Sequence, residues 1–421
     1  MEQMLTALRR EFHRYPESGW TEFRTTVRII EELNREGIPV TYGRSIHDGD
    51  KRLGLPKAEV LERCLQRAKD EGVPEALLAA MAGGYTGCVA RIEGALPGPT
   101  TGIRVDIDCC DMEESADAEH LPAKEGFRSV HPGCMHACGH DAHAAIGVGA
   151  AKLLWQARNH LRGTVLLAFQ PAEEGLRGAA AMAEAGVFDG CDRLFGIHVG
   201  LTDAPVGTVA VSAEGFLASS KFDVTFHGLA AHAGQSPEKG RNALAAAATA
   251  TLDMLSLPER FSPRARLNVG SFHGGTGRNV IPAEAVLQVE TRGADTAENR
   301  ALEQAAYDAC RAAAERYGCT CDFAPMGGAG TASCDASLAE EAGRILRQVD
   351  GVGQVLPTVQ LTVGEDIVTL MERVQSRGGR ATELIFAMPL PYPHHSSRFD
   401  TDERLLALCA RCLAALALES E

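Results

Sequence analysis

Thr164 to Ala180 reads TVLLAFQPAEEGLRGAA: an apolar run, then Pro171, two adjacent glutamates, Glu173 and Glu174, and a glycine-bearing loop that leads into small residues. A short apolar run closed by such punctuation is a buried strand at Thr164–Phe169, and Arg177–Ala185 follows it as a helix. Upstream lies MHACGHDAH, Met135 to His143; downstream come GIHV, Gly196 to Val199, and PHHSSRFD, Pro393 to Asp400. Cys, His, Glu and His at separate strand or loop ends are what a metal centre needs when an α/β sheet must bring its ligands together at the carboxyl edge. The pattern implies a metal-dependent hydrolase.

Outward from this stretch the periodicity alternates. Helical spacing covers about Gln3–Tyr15, Thr21–Glu36 and Lys57–Glu71, and β-rich runs follow at Cys88–Glu93 and Gly102–Asp108. Ala142–Ala157 reads as a helix behind the Cys/His cluster and Asp192–Val199 as a strand. This βαβα order builds a mostly parallel sheet.

From about Gly215 the character changes. KFDVTFHG alternates as a strand, Gly240–Leu255 is an alanine-rich helix, RLNVGSFHGG and AEAVLQVETRG are strands, Ala297–Tyr317 is a long helix, and CTCDFAP closes as a strand. That is the ferredoxin-like βαββαβ order. MGGAGTASCD, Met326 to Asp335, reads as a return linker. Leu338–Val349, Asp366–Gln375, the strand Glu383–Met388 and the helix Glu403–Leu418 then resume the first pattern. The expected protein is α/β: a mostly parallel-sheet catalytic domain in two parts, residues 1–214 and 327–421, with a ferredoxin-like α+β domain inserted at 215–326.

Composition is consistent with this. A chain of 421 residues is too long for one typical domain, and 45% hydrophobic with 23% charged residues describes a soluble globular chain. A formal charge of −15 argues against nucleic acid as a partner. MEQMLTALRREFHRYPE lacks the apolar stretch of a signal peptide, and no run of about 18 apolar residues predicts a membrane span. The thirteen cysteines are odd in number, and several fall inside apolar runs such as LCARCL, which fits a reducing, cytoplasmic setting.

MHACGHDAH, PAEEG, GIHV, AAHAG, GTGRNVIPAEA, GED and HHSSRFD, in that order over nearly the whole chain, resemble the M20 metallopeptidase family, and within it the amidohydrolase branch that hydrolyses N-acyl-amino acids. The segment from Gly43 to Thr86, the run AHAGQSPE and the helix after TRGADTAENR resemble members acting on p-aminobenzoyl-glutamate. The resemblance implies metal ligands at Cys138, His140, Glu174, His198 and His395. Five mixed ligands are too many for one tetrahedral zinc and suit two divalent ions. Manganese is the ion the resemblance implies, while a thiolate favours zinc. With Glu174 on metal, Glu173 is left as the general base that takes a proton from water and passes it to the leaving amine. His232 is implied as a donor to the oxyanion, often across a dimer interface, and the inserted domain as a lid or dimerisation domain. Asn279 and Arg292 are implied to hold the carboxylate of the amino-acid half.

RVDIDCCDM, Arg104 to Met112, departs from the branch, where a small residue and Leu-Pro follow the second Asp. Asp106 and Asp108 stand beside the centre as supporting residues, and Asp108 is suited to orient a ligand. His136 and His143 are expected to orient ligands or cap the next helix, Cys134 to be a packed thiol, and His394 to stack or hydrogen-bond beside His395. His13, His47, His120, His131, His160, His227 and His273 read as structural or surface residues.

The implied reaction is hydrolysis of the amide between an acyl or aroyl group and an amino acid, with p-aminobenzoyl-glutamate as the first substrate and another N-acyl-amino acid as the alternative. The other classes are an aminopeptidase acting on free N-termini and a non-catalytic partner subunit. The chain is expected as a homodimer or a heterodimer with a related subunit.

Overall fold

In the computed structural model, which describes residues 1–419, the apolar stretch becomes the strand Arg162–Gln170 inside an eight-stranded sheet. The order across this sheet is Val40–Tyr42, Cys88–Glu93, Arg162–Gln170, Leu96–Asp106, Arg193–Asp203, Arg380–Met388, Thr208–Ala210, Gln354–Leu356. The four from Arg162–Gln170 to Arg380–Met388 run parallel to their neighbours, while Cys88–Glu93 and Thr208–Ala210 pair antiparallel to them. The sheet is mainly parallel, as the βαβα order implies. Ile103, Val105, Leu167, Phe169, Phe195, Ile197, Leu384 and Ile385 are buried along the central strands. A strand buried on both faces needs helices on both.

Two glycines mark how closely those helices approach. A Cβ on Gly147, in the helix His140–Gln156, would fall 2.7 Å from the Phe169 ring and 2.9 Å from Val105. One on Gly196 would fall 2.7 Å from Ile367, at the start of the helix Ile367–Gln375. Val105 and Gly196 lie one register step apart on paired strands, so these two helices cover opposite faces. The helix Leu405–Leu418 packs on His140–Gln156.

The chain divides into two units: one of Met1–Glu214, Ala332–Leu361 and the residues from Asp366 onward, the other of Gly215–Thr331 with Thr362–Glu365. The second holds a four-stranded antiparallel sheet, ordered Thr320–Ala329, Ala218–His227, Glu284–Gly293, Arg266–Gly274, with helices Ala243–Leu255 and Thr296–Arg316. Their chain order is βαββαβ. Both helices start where a side chain caps them: Asn242 accepts the N–H of Ala245 at 3.0 Å and Asp295 that of Glu298 at 2.8 Å. Phe222, Val224, Phe226 and Leu287 from the sheet meet Ala246, Ala250, Leu302 and Cys310 from the helices in this unit's own core.

One boundary moves. The closing strand runs on through Gly327 and Gly328 to Ala329, which pair with Lys221, Ser220 and Ser219 after a bulge, so the start of the segment read as a linker is strand. Local glycine content signalled a linker, and the ladder that recruits these residues is non-local. No helix among the described residues is long and apolar enough to cross a membrane.

Candidate metal centre

The segments that leave the parallel strands converge at the sheet's carboxyl edge. Asp108, Cys109 and Cys110 follow Leu96–Asp106, and Glu173 and Glu174 follow Arg162–Gln170. His198 lies within Arg193–Asp203, just before its pairing with Arg380–Met388 becomes irregular, and His395 follows the latter. Cys138 and His140 enter from the loop that opens the helix His140–Gln156. Gly139 between them has φ +90°, and a Cβ there would fall 2.7 Å from Val199. Only glycine fits both constraints.

The glutamate loop is held from three sides. Ala172 and Leu176 adopt left-handed φ of 54° and 62°, conformations that cost a non-glycine residue about 1 kcal/mol or more. The Ala172 carbonyl accepts the N–H groups of Arg177 and Gly178 at 3.1 and 2.8 Å. The buried Glu22 carboxylate accepts the Ala172 N–H at 2.7 Å and the Thr86 hydroxyl at 2.6 Å. Burial, with the Asp108 charge adding to it, pushes Glu22 up to about 8. Asp108, fully buried, accepts the N–H of Glu173 on one oxygen at 3.0 Å and of Glu174 on the other at 2.9 Å.

Backbone carbonyls settle the histidine tautomers. His140 Nδ1 donates to the Asp108 carbonyl at 3.0 Å and His198 Nδ1 to the Val199 carbonyl at 2.8 Å, which leaves each Nε2 as a lone-pair donor. His198 Nε2 is 3.5 Å from Cys138 Sγ, and His395 Nε2 is 3.4 Å from Glu174 Oε1. The donor atoms of Cys138, His140 and His198 lie within 4.8 Å of one another, as do those of His140, Glu173 and Glu174. His140 Nε2 is buried with no hydrogen-bond partner, an orphan worth about 1–3 kcal/mol in a site with no cation. Burial drives His198 far below its ordinary value, so its lone pair is available. Burial raises Glu174, and the hydrogen bonds from His395 and Cys110 outweigh it and hold it at about 2, as carboxylate. This donor set fits divalent cations.

The neighbours sort themselves by their bonds. His143 is fully engaged, Nδ1 with Asp106 and Nε2 accepting the Val199 N–H at 3.0 Å, so it braces His198's strand. His394 bonds the Val199 carbonyl at 3.1 Å and packs on Phe399, while His395, with a left-handed φ of 59°, turns to Glu174. His136 is buried with neither ring nitrogen bonded. His13 bridges Asp141 and Glu114 at 2.8 and 2.9 Å, and His120, His131 and His47 are likewise buried and bonded, whereas His160 and His273 are exposed. Cys134 is not simply packed. It is half-buried, 3.5 Å from Ser18 Oγ, and its hydrogen bond with Cys109 brings it down to about 6.

Several supporting residues escape the sequence altogether. Arg104 binds Gln170 at 2.9 Å, Asp106 at 2.5 Å and Asp366 at 2.7 Å, a buried knot beneath the centre. Asp366 also accepts the Ala179 N–H at 3.0 Å. The GED run was the only local signal for it; Glu22 and Gln170 gave none.

In the inserted unit His232 and Asn279 come together. The Ala233 N–H donates to the Asn279 carbonyl and the Ile281 N–H to the Ala231 carbonyl, both at 2.9 Å. Exposed His232 accepts the N–H groups of Gly234 and Gln235 on Nδ1, both at 3.1 Å, which leaves Nε2 facing outward from the loop's own hydrogen bonds. Arg292 is elsewhere: it forks onto Glu290 at 3.1 Å, eight residues along the strand from Glu284, roughly 26 Å at the usual rise.

A family model described as peptidase family M20/M25/M40 matches residues 102–419. The chain is 43% identical over 98% of its length to an indole-3-acetyl-aspartic acid hydrolase of Enterobacter agglomerans, covering 95% of that protein. It is equally 43% identical, with the same coverage of both chains, to a p-aminobenzoyl-glutamate hydrolase subunit of Escherichia coli. Among solved structures, an aminobenzoyl-glutamate utilization protein from Klebsiella pneumoniae aligns with TM-score 0.84 and 38% identity, over 99% of this chain and 95% of that one. A Bacillus subtilis protein described as a dinuclear metal-binding peptidase aligns with TM-score 0.67 and 26% identity, over 99% of this chain and 97% of that one.

Proposed function

The chain belongs to peptidase family M20/M25/M40, and we propose that it is a metal-dependent amidohydrolase that cleaves p-aminobenzoyl-glutamate to p-aminobenzoate and glutamate. The observation that carries this is that the donor atoms of Cys138, His140 and His198, and those of His140, Glu173 and Glu174, each lie within 4.8 Å of one another, with His395 Nε2 3.4 Å from Glu174. The relative that hydrolyses indole-3-acetyl-aspartic acid is as similar as the p-aminobenzoyl-glutamate hydrolase, which makes that conjugate the second reading. Both substrates join an aromatic acid to an acidic amino acid.

Two divalent ions held by those five residues would polarise the scissile carbonyl and acidify a water. Imidazole and carboxylate donors suit manganese, which we assign, and the Cys138 thiolate makes zinc its competitor. Glu173 takes the proton from the attacking water and delivers it to the amine as the C–N bond breaks. His232 offers its Nε2–H to the oxygen on which negative charge develops. Asn279 and Arg292 take the substrate carboxylate, Arg292 by exchanging it for Glu290. His232 and Asn279 lie in loops that precede the strand Glu284–Gly293, and Arg292 stands near its far end; we assign His232 and Asn279 to the site of a second chain, so that the active form is a homodimer or a heterodimer with a related subunit. The second relative is itself named as one subunit of a hydrolase, and a non-catalytic role beside a partner is the alternative that name favours. Thirteen free thiols fit a reducing, cytoplasmic location.

The test is to incubate the purified chain with each conjugate, metal-free and with manganese or zinc, beside Glu173→Ala. Metal-dependent release of p-aminobenzoate that vanishes in the variant supports the proposal. Release of indole-3-acetate alone replaces the substrate, and no release with any metal overturns autonomous catalysis.

A further inference from the structure

Cys110 was not among the expected ligands, and the structure sets it among them. Its Sγ is 2.9 Å from Glu174 Oε1, the oxygen that is 3.4 Å from His395 Nε2, and the three donor atoms lie within 4.8 Å of one another. Cys110 is buried, and its backbone is fixed by a two-way bridge to Met135, with N–H to carbonyl distances of 3.0 and 3.1 Å, three residues before Cys138. We propose that Cys110 is a metal ligand of this chain, giving the centre a second thiolate that shares an ion with Glu174 and His395.

This deepens the metal-centre proposal and rests on it. Donors bonded to one ion at about 2.0–2.3 Å stand roughly 3.3–3.7 Å apart at tetrahedral angles. The Glu174–His395 separation already meets that spacing. The shorter sulfur–oxygen distance is that of a thiol donating to a carboxylate, a bond that opens once the proton is gone. On binding, the S–H bond breaks, its proton leaves to solvent and a sulfur–metal bond forms, with no change of oxidation state. The Nε2 of buried His140, which makes no hydrogen bond, belongs to a neighbouring donor group that shares Glu174 with this one. Cys110 lies in RVDIDCCDM, where this chain departs from the pattern that the resemblance implies. Its consequence is selectivity: two soft donors raise zinc and cobalt relative to manganese.

Cobalt tests it, because thiolate-to-cobalt charge transfer absorbs in the near ultraviolet and scales with the number of bound sulfurs. Metal-free wild type, Cys110→Ala, Cys110→Leu and Cys138→Ser would be loaded with cobalt, and bound metal and absorption read together. The expected result is that each single variant keeps about half of the wild-type band, and that the zinc-to-manganese affinity ratio falls about 10-fold or more in both Cys110 variants. Cys110→Leu preserves an apolar side chain, so a misfolded alanine variant does not decide the outcome. If both Cys110 variants keep the full band and Cys138→Ser abolishes it, Cys138 is the sole thiolate and the proposal is wrong. If wild type binds no cobalt, the metal centre itself fails, a result separable from the first by the metal content.

Discussion

Replacing Asp108 by asparagine isolates how much of the chemistry depends on holding Glu173 and Glu174 in place. Each oxygen of the Asp108 carboxylate accepts one backbone N–H, at 3.0 and 2.9 Å, inside a fully buried site. Asparagine keeps one acceptor and turns an NH2 against the other N–H. One charge-assisted bond, worth about 1.5–3 kcal/mol net, is lost. A domain holding about 5–15 kcal/mol survives that loss, so the variant should fold and melt a few degrees lower. The effect on rate is larger. The same loop carries Glu174, the proposed metal ligand, and Glu173, the proposed base, and misplacing reacting groups by about 1 Å costs about 100-fold. We therefore expect kcat/KM for amide hydrolysis, measured at saturating metal, to fall about 100-fold in Asp108→Asn. Asp108→Ala, which orphans both N–H groups, should lose about twice the stability, of order 4 kcal/mol. Wild-type kcat/KM in an Asp108→Asn protein whose melting temperature has dropped would refute the reasoning, since the carboxylate would then support only the fold.

Three further outcomes follow from the same geometry. Glu173→Gln keeps shape but takes no proton, so kcat should fall about 100- to 10,000-fold with bound metal unchanged; metal lost together with activity would make Glu173 a ligand instead. Gly139→Ala forces a Cβ to 2.7 Å from Val199 between Cys138 and His140, and chelator competition should show metal held about 10- to 100-fold more weakly; unchanged affinity would mean that the loop yields freely. For His13, burial pulls the imidazolium down, but hydrogen bonds to Asp141 and Glu114 outweigh it and raise the group from 6.5 to about 9. A raised native value stabilises fully below the unfolded value of 6.5 and fades as pH climbs through about 9. The unfolding free-energy gap between wild type and His13→Gln should therefore shrink by about 3 kcal/mol from about pH 6 to about pH 10 in urea titrations, and a gap that stays flat would show that His13 does not titrate this way.

What was legible in the chain was local. Thr164–Phe169 announces a buried strand through its own composition, and the βαββαβ order follows from alternation and helical spacing read segment by segment. The candidate donors stood out because each sits in a compact motif, and the segments that carry them reach one edge of the sheet. Residues that act across the fold were not. Glu22 reaches Ala172, Asp366 reaches Gln170 and Arg104, and Asp108 binds the backbone of a loop that begins far along the chain. No periodicity encodes such bonds. Cys110 looked like a disturbance of the Asp108 loop because its partner, Glu174, comes from another strand's end. Met326–Ala329 misled in the opposite sense, its glycines suggesting a linker where the neighbouring strand makes them a ladder.

Anomalous diffraction from crystals grown metal-free and soaked in manganese or zinc tests the metal centre most directly. The expected map has two peaks about 3.5–4 Å apart, with His140 Nε2, Cys138, His198, Glu174 and His395 as ligands. A map with no peak among these residues, or with one peak that leaves His140 Nε2 unbonded, would contradict it.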